Sequence, residues 1–238
     1  MRRSNPLLHT LLMLLSALVA TPAAMAAPTI VNGGFESGFA GWSTADQAGS
    51  LGSFFVQSGL LSPEMGDPVP APPEGVNAAM SDAQGPGAHV LYQDFLASSG
   101  LAVLSFELFI GNRDPVSTFN DPGTLDFTTA AVNMQARVDI LAEGADPFSM
   151  APADILMTLY ATQPGDPLVS GYNTITADLS ALLGAHLGQT LRLRFAETDN
   201  FFQLQMGVDA VRFNLPEPGS FALAGLALAG LALSRRRR

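Results

Sequence analysis

Met134-Gln135-Ala136-Arg137-Val138-Asp139-Ile140 alternates apolar and polar side chains without a break. A period of two places Met134, Ala136, Val138 and Ile140 on one face of an extended strand and the polar residues on the other. The same pattern recurs to either side. In Leu104 to Ile110, Leu104, Phe106, Leu108 and Ile110 are apolar while Ser105 and Glu107 face away; in Leu191 to Phe195, Arg192 and Arg194 alternate with apolar neighbours. Further candidate strands are Phe54 to Gln57, His89 to Phe95, Ile155 to Tyr160, Phe202 to Met206 and Val208 to Asn214. Clusters of Gly, Pro, Asn and Asp separate them, which is turn chemistry. One helix-like piece, Ala177 to Leu183, ends at Gly184. Many strands without helical crossovers predict an all-β, antiparallel β-sandwich rather than a βαβ fold. The stretch Pro63 to Pro86 reads as a long ordered loop, because strands on both sides of it are needed for one core.

Both ends read differently from this middle. Met1-Arg2-Arg3, an apolar run from Leu11 to Ala20 and Ala24-Met25-Ala26 follow the order of a secretory signal peptide, so residues 1–26 are expected to be removed. A buried N-terminal helix is the alternative, and Pro22 opposes it. At the other end Pro216-Glu217-Pro218 precedes an apolar stretch from Gly219 to Leu233 and four arginines, Arg235 to Arg238. As a helix the sixteen residues from Gly219 to Ser234 would reach about 24 Å at ~1.5 Å per residue, short of a hydrocarbon core of about 30 Å. Snorkelling arginines and bilayer thinning cover the difference, with the arginines cytoplasmic and the domain outside.

Tripeptide, short apolar helix and arginine cluster together resemble the PEP-CTERM sorting signal, over Pro216 to Arg238. The resemblance implies transient membrane insertion and processing by an exosortase near Pro216, Glu217 and Pro218. The alternative is a plain membrane anchor, which needs no Pro-Glu-Pro ahead of so short a helix.

Between these ends, residues 27–215 carry twenty acidic residues against five arginines and no lysine. That field repels phosphate backbones, so nucleic acid is not an expected partner. Cysteine is absent from the chain, which removes disulfides, thiol nucleophiles and thiolate metal sites. Core burial must hold the domain together, and at this length it suffices.

Asn32-Gly33-Gly34-Phe35-Glu36, Gly41-Trp42 and the late Val208-Asp209-Ala210-Val211 are similar to the first and last strands of the galactose-binding-like jelly roll, an architecture shared by many carbohydrate-binding modules. Leu91 to Phe95 and Leu191 to Phe195 fit its middle and penultimate strands. The resemblance implies one structural Ca²⁺ held by Glu36 and Asp209, with backbone carbonyls and water as the other ligands. It departs from the family at Ala210, where Asn is common. The alternative is that Glu36 caps a turn and Asp209 lies on an exposed strand face. A second carboxylate group, Asp114, Asn120, Asp121 and Asp126, lacks EF-hand spacing and reads as a solvated loop.

A sugar site needs rings that stack on pyranose faces. Trp42, Tyr92, Tyr160 and Tyr172 are the available amphipathic rings, and Tyr172, Trp42 and Tyr92 are the ligand candidates. Trp42 belongs to a motif whose indole is usually packed inside; Tyr172, after Ser170-Gly171, is the best candidate for exposure. No enzyme signature appears: His89 and His186 sit in no His-Glu-x-x-His, and there is no Gly-x-Ser-x-Gly elbow. The leading expectation is a non-enzymatic surface or matrix protein, structural or adhesive in an exopolysaccharide layer. A calcium-stabilised carbohydrate-binding module with polysaccharide as ligand is the second reading, and a polysaccharide hydrolase or lyase the third.

Overall fold

The computed structural model describes residues 28–98, 102–114 and 118–214. The expected signal peptide and sorting helix therefore lie outside the described residues. Ten strands and one short helix follow in the order β1 (Ser43–Asp46), β2 (Ser53–Ser58), β3 (Asn77–Asp82), β4 (Gly87–Leu96), β5 (Val103–Asn112), β6 (Met134–Leu141), β7 (Ile155–Ala161), β8 (Asn173–Asp178), α1 (Ser180–Ala185), β9 (Thr190–Asp199) and β10 (Leu204–Asn214). They form two antiparallel five-stranded sheets, β1-β4-β9-β6-β7 and β2-β3-β10-β5-β8. This is the antiparallel sandwich that the alternation predicts, in the jelly-roll class that the resemblance implies.

Alternation decides which residues meet between the sheets. Leu91 and Phe95 of β4, Leu191, Leu193 and Phe195 of β9, and Met134, Ala136, Val138 and Ile140 of β6 face Leu104, Phe106, Leu108, Ile110, Met206 and Val208 of the other sheet. Phe106 and Phe195 meet edge to face at 5.2 Å. Each large apolar side chain so buried contributes about 1.5–3 kcal/mol, which supplies the cohesion that disulfides would otherwise give.

Several elements differ from the sequence expectation. The proposed loop from Pro63 to Pro86 contains β3, which lies between β2 and β10. Its Ala78, Ala79 and Met80 are fully buried; a central strand takes small residues on both faces, so no alternation marks it. The two strands expected at 202–206 and 208–214 are one strand, β10, with a bulge between Asp209 and Arg212. The opening segment that resembles a first strand is a series of turns, tied to β10 by the Val211 N–H donated to the Gly33 carbonyl at 3.0 Å. A Cβ on Gly33 would lie 1.8 Å from that region's Val211 oxygen, so only glycine allows this approach.

The outer face of the first sheet is covered by its own loops. Arg137 and Arg194 both bond the buried Asp139, and Arg194 Nη1 also donates to the carbonyls of Pro147 at 2.8 Å and Ser149 at 2.7 Å. Burial pushes the Asp139 carboxyl up, but its bonds to Arg137 and the charges of both arginines outweigh that and hold it below the usual carboxylate range.

Candidate ligand-binding site

The two expected metal ligands each accept backbone N–H groups from the segment 74–77. Glu36 Oε1 accepts the N–H groups of Val76 at 2.8 Å and Asn77 at 2.9 Å. Asp209, fully buried, accepts from Glu74 N at 2.8 Å through Oδ2 and from Ala210 N at 2.7 Å through Oδ1. Burial, with the nearby charges of Glu74 and Glu36, pushes the Asp209 carboxyl up to about 6 even though those two N–H groups oppose the shift. Among the described residues no three acidic or histidine side chains share metal-ligand geometry. Ala210 sits at φ 51°, a left-handed conformation that Asn tolerates better than Ala. That is a physical reason for the Asn usual at this position in the jelly rolls it resembles.

The three candidate rings lie apart from one another. Trp42 is 7% exposed, packs against Phe35 and Phe195, and donates its indole N–H to the Asn32 carbonyl at 3.1 Å. Tyr172 is partly buried beside Phe109, and its hydroxyl donates to Gln57 Oε1 at 3.1 Å; burial and then the Asp209 charge raise its pKa. Tyr92 has the Arg192 guanidinium 4.2 Å over its ring, and that arginine is paired with Asp94 at 2.7 Å and 3.0 Å. Tyr160 lines a cavity of about 290 Å³ between the edge strands β7 and β8, over Leu108, Ile110 and Ile175.

A second concavity, of about 310 Å³, opens at one end of the sandwich. Its walls are the β3–β4 turn (Ala83, Gln84, Gly85, Pro86), the β9–β10 turn (Asn200, Phe201, Phe202, Gln203) and Met65. Phe201 and Phe202 are 59% and 50% exposed, so two aromatic rings stand at its mouth beside the Gln84 and Gln203 amides. Two carboxylates brace these walls from behind. Asp82 Oδ2 accepts from Glu64 N at 2.8 Å and Met65 N at 2.9 Å, while its Oδ1 accepts from Gln203 Nε2 at 3.0 Å and Gln205 Nε2 at 2.9 Å. Burial raises the Asp82 carboxyl, but these bonds, Gln205's foremost, hold it below its ordinary value. Asp199 accepts from Gly87 N through Oδ1 and from Leu204 N through Oδ2, both at 2.9 Å.

This pair of phenylalanines was not among the candidate residues, although the sequence carries a signal for it. Two adjacent aromatics after Thr198-Asp199-Asn200 cannot both face inward in a period of two.

Charge sets the chemistry of any ligand. Each of the five arginines in the described residues is paired with an acid: Arg113 with Asp67 at 3.9 Å, Arg137 and Arg194 with Asp139, Arg192 with Asp94, and Arg212 with Glu74 at 3.2 Å. No unpaired arginine or lysine among the described residues remains to receive an anion.

Beyond β10 the chain runs into its last segment. Residues 214–238 match the PEP-CTERM protein-sorting motif. A PEP-CTERM tail implies export to the cell surface and processing by an exosortase. No curated protein matches the chain. Among solved structures the chain is similar to the module TmCBM61 in complex with β-1,4-galactotriose, at 8% identity over 79% of this chain and 97% of that one, TM-score 0.43. It is also similar to the K3 cleaved adhesin domain of Lys-gingipain from Porphyromonas gingivalis W83, at 14% identity over 79% and 99%, TM-score 0.46. A third likeness is to CBM28, a non-crystalline cellulose specific carbohydrate-binding module, at 12% identity over 79% and 95%, TM-score 0.41. The structural neighbours of this chain thus include β-sandwiches of the carbohydrate-binding-module kind.

Proposed function

We propose that this protein is an exosortase-processed surface or extracellular-matrix component with a structural, adhesive role in an exopolysaccharide layer, and that it holds neutral polysaccharide at the pocket between Pro86 and Phe202. One observation carries the reading: the pocket and the residue at which the sorting motif starts lie at opposite ends of the same strand. β10 begins at Leu204, beside the pocket, and ends at Asn214, where the sorting motif starts. At ~3.4 Å per residue its eleven residues separate the two by roughly 34 Å. A domain held at Asn214 carries the pocket at the far end of β10. Almost no stalk separates Asn214 from Pro216, which favours release into the matrix over a permanent anchor.

The pocket's chemistry supports a neutral sugar. Exposed phenylalanine rings supply stacking surfaces, the Gln84 amide supplies both a donor and an acceptor while Gln203, its nitrogen engaged by Asp67 and Asp82, supplies its carbonyl oxygen, and the paired arginines leave uronic acids without a counter-charge. Glu197 and Asp199, whose raised pKa would otherwise suggest acid–base catalysis, are buried behind the pocket rather than lining it, and this supports a non-enzymatic role.

The test combines sorting with binding. Intact-mass analysis of the protein from cells and medium, with the exosortase gene present and deleted, is expected to show loss of the mass beyond about Pro218 only when the enzyme is present. Affinity electrophoresis should retard the protein in hydroxyethyl cellulose or a neutral galactan and not in alginate. Phe201→Ala and Phe202→Ala should each weaken retardation roughly fivefold to tenfold, the worth of an aromatic contact. Equal retardation of both variants and the wild type would remove the pocket from the reading.

The second reading, a calcium-stabilised carbohydrate-binding module, is favoured by the like charges of Glu36, Glu74 and Asp209 around one β10 bulge. A hard cation there would offset them, with backbone carbonyls and water completing its shell.

A further inference from the structure

Behind the pocket the sandwich interior holds a cluster of ionisable groups that neither adhesion nor sorting uses. Glu197 and Asp199 are two residues apart on β9, and both are 1% exposed. His89 on β4, also 1% exposed, is the cross-strand partner of Glu197 and bonds Asp46 of β1 at 2.7 Å through Nδ1. Asp82 of β3 adds a further carboxylate on the side of the second sheet. Nε2 of His89 and Oε1 of Glu197 have no hydrogen-bond partner among the described residues. Asp199 is the member of this cluster that touches the pocket walls: its two oxygens hold the first residue of β4 and the first residue of β10. Those residues, Gly87 and Leu204, directly follow the two turns that line the pocket.

We propose that Asp199 is a proton-operated clamp on the pocket, joining its two turns when ionised and loosening them when protonated, so that ligand affinity falls on acidification. An ionised carboxylate accepts both N–H groups in charge-assisted bonds; a carboxylic acid keeps one good acceptor oxygen and turns the other into a donor. The surrounding groups set where the change occurs. Burial raises Asp199 to about 7, against the pull of the Leu204 and Gly87 N–H groups and of His89. Glu197 is raised well above the ordinary value by burial and by the charges of Asp199, Asp46 and Asp82, against a bond to Ser81. The clamp therefore switches near neutrality.

The inference takes the pocket as the ligand site proposed above, but it is read first without ligand. In ¹H–¹⁵N spectra of ¹⁵N-labelled protein recovered from the producing cells, the Gly87 and Leu204 amides should titrate between pH 5 and 8.5 with one common midpoint near neutrality. Asp199→Asn should abolish both titrations. If that variant does not fold, hydrogen exchange of the same two amides in the wild type gives the answer: intrinsic-rate-corrected protection should rise roughly fivefold from pH 5.5 to 8, the difference between a neutral and a charge-assisted bond. Flat amide shifts, or protection unchanged with pH, would overturn the clamp. With hydroxyethyl cellulose as the probe, affinity should fall by a similar factor on going from pH 8 to 5.5. Titrating amides without retardation at either pH would leave the clamp standing and sink the glycan reading instead.

Discussion

Asp139 is the residue on which most depends per atom. It is fully buried, both its oxygens are bonded, and the two guanidinium groups it holds are themselves nearly excluded from water. Such an arrangement is costly to assemble and costlier to break, because removing one partner strands the other charges in the interior. Asp139→Asn should lower the unfolding free energy by about 3–5 kcal/mol, measured by urea denaturation. A change below ~1 kcal/mol, the size of an ordinary substitution, would show that water reaches the arginines. By contrast, the surface pair Arg212–Glu74, with both side chains more than half exposed, should matter little.

At the scale of elements, β10 gathers what the sequence resemblance singled out. Its bulge at Asp209 sits against Glu74, and the opening turns reach it through Gly33. If a Ca²⁺ ion belongs to Glu36 and Asp209, millimolar EDTA should lower the melting temperature of the purified protein and added calcium restore it. An unchanged melting temperature would leave these carboxylates as acceptors for backbone N–H groups and nothing more. The elements themselves were unevenly legible. β4, β5, β6 and β9 announce themselves because each has one face in the core and one face polar, which writes a period of two into the chain. β3 hides because both faces are covered, and β1 and β8 hide because edge strands bury little: Ser43–Asp46 and Asn173–Asp178 are mostly exposed and polar. The pocket was less legible still. Its residues come from three turns, the last more than a hundred positions beyond the other two, and nothing local in Met65, Gln84 or Phe202 reports that they meet.

For the whole molecule the buried acids fix how stability depends on pH. Asp199 at about 7 and Asp209 at about 6 lie above their unfolded values, and Glu197 too is raised well above its own. The folded chain therefore binds protons more tightly than the unfolded one. That contribution is fully present below about pH 4 and is lost as pH rises through the folded values. Asp82 and Asp139 act oppositely: they are lowered, and what they contribute disappears only as pH falls through their depressed values. In EDTA the melting temperature should therefore peak in mildly acidic solution and decline toward pH 8. A curve that rises from pH 5 to 8 would contradict the burial of Glu197 and Asp199. Loosening of the pocket clamp by acid and stabilisation by acid are compatible, since relieving a buried charge outweighs weakening two N–H bonds.

The placement of pocket and tail at the two ends of β10 also has a mechanical meaning. Tension between a polymer caught at Phe201 and Phe202 and an attachment at Asn214 is directed along that strand. β10 lies inside its sheet, paired with β3 on one side and with β5 on the other from Leu204↔Asn112 to Asn214↔Val103. In an antiparallel pair the hydrogen bonds run across the strands, so this pull loads them in shear, all together. A pull across the sheet would unzip them one by one. Were the proposed glycan held at the pocket while Asn214 was still fixed through the uncleaved tail, the load would lie on the axis along which a sheet yields last.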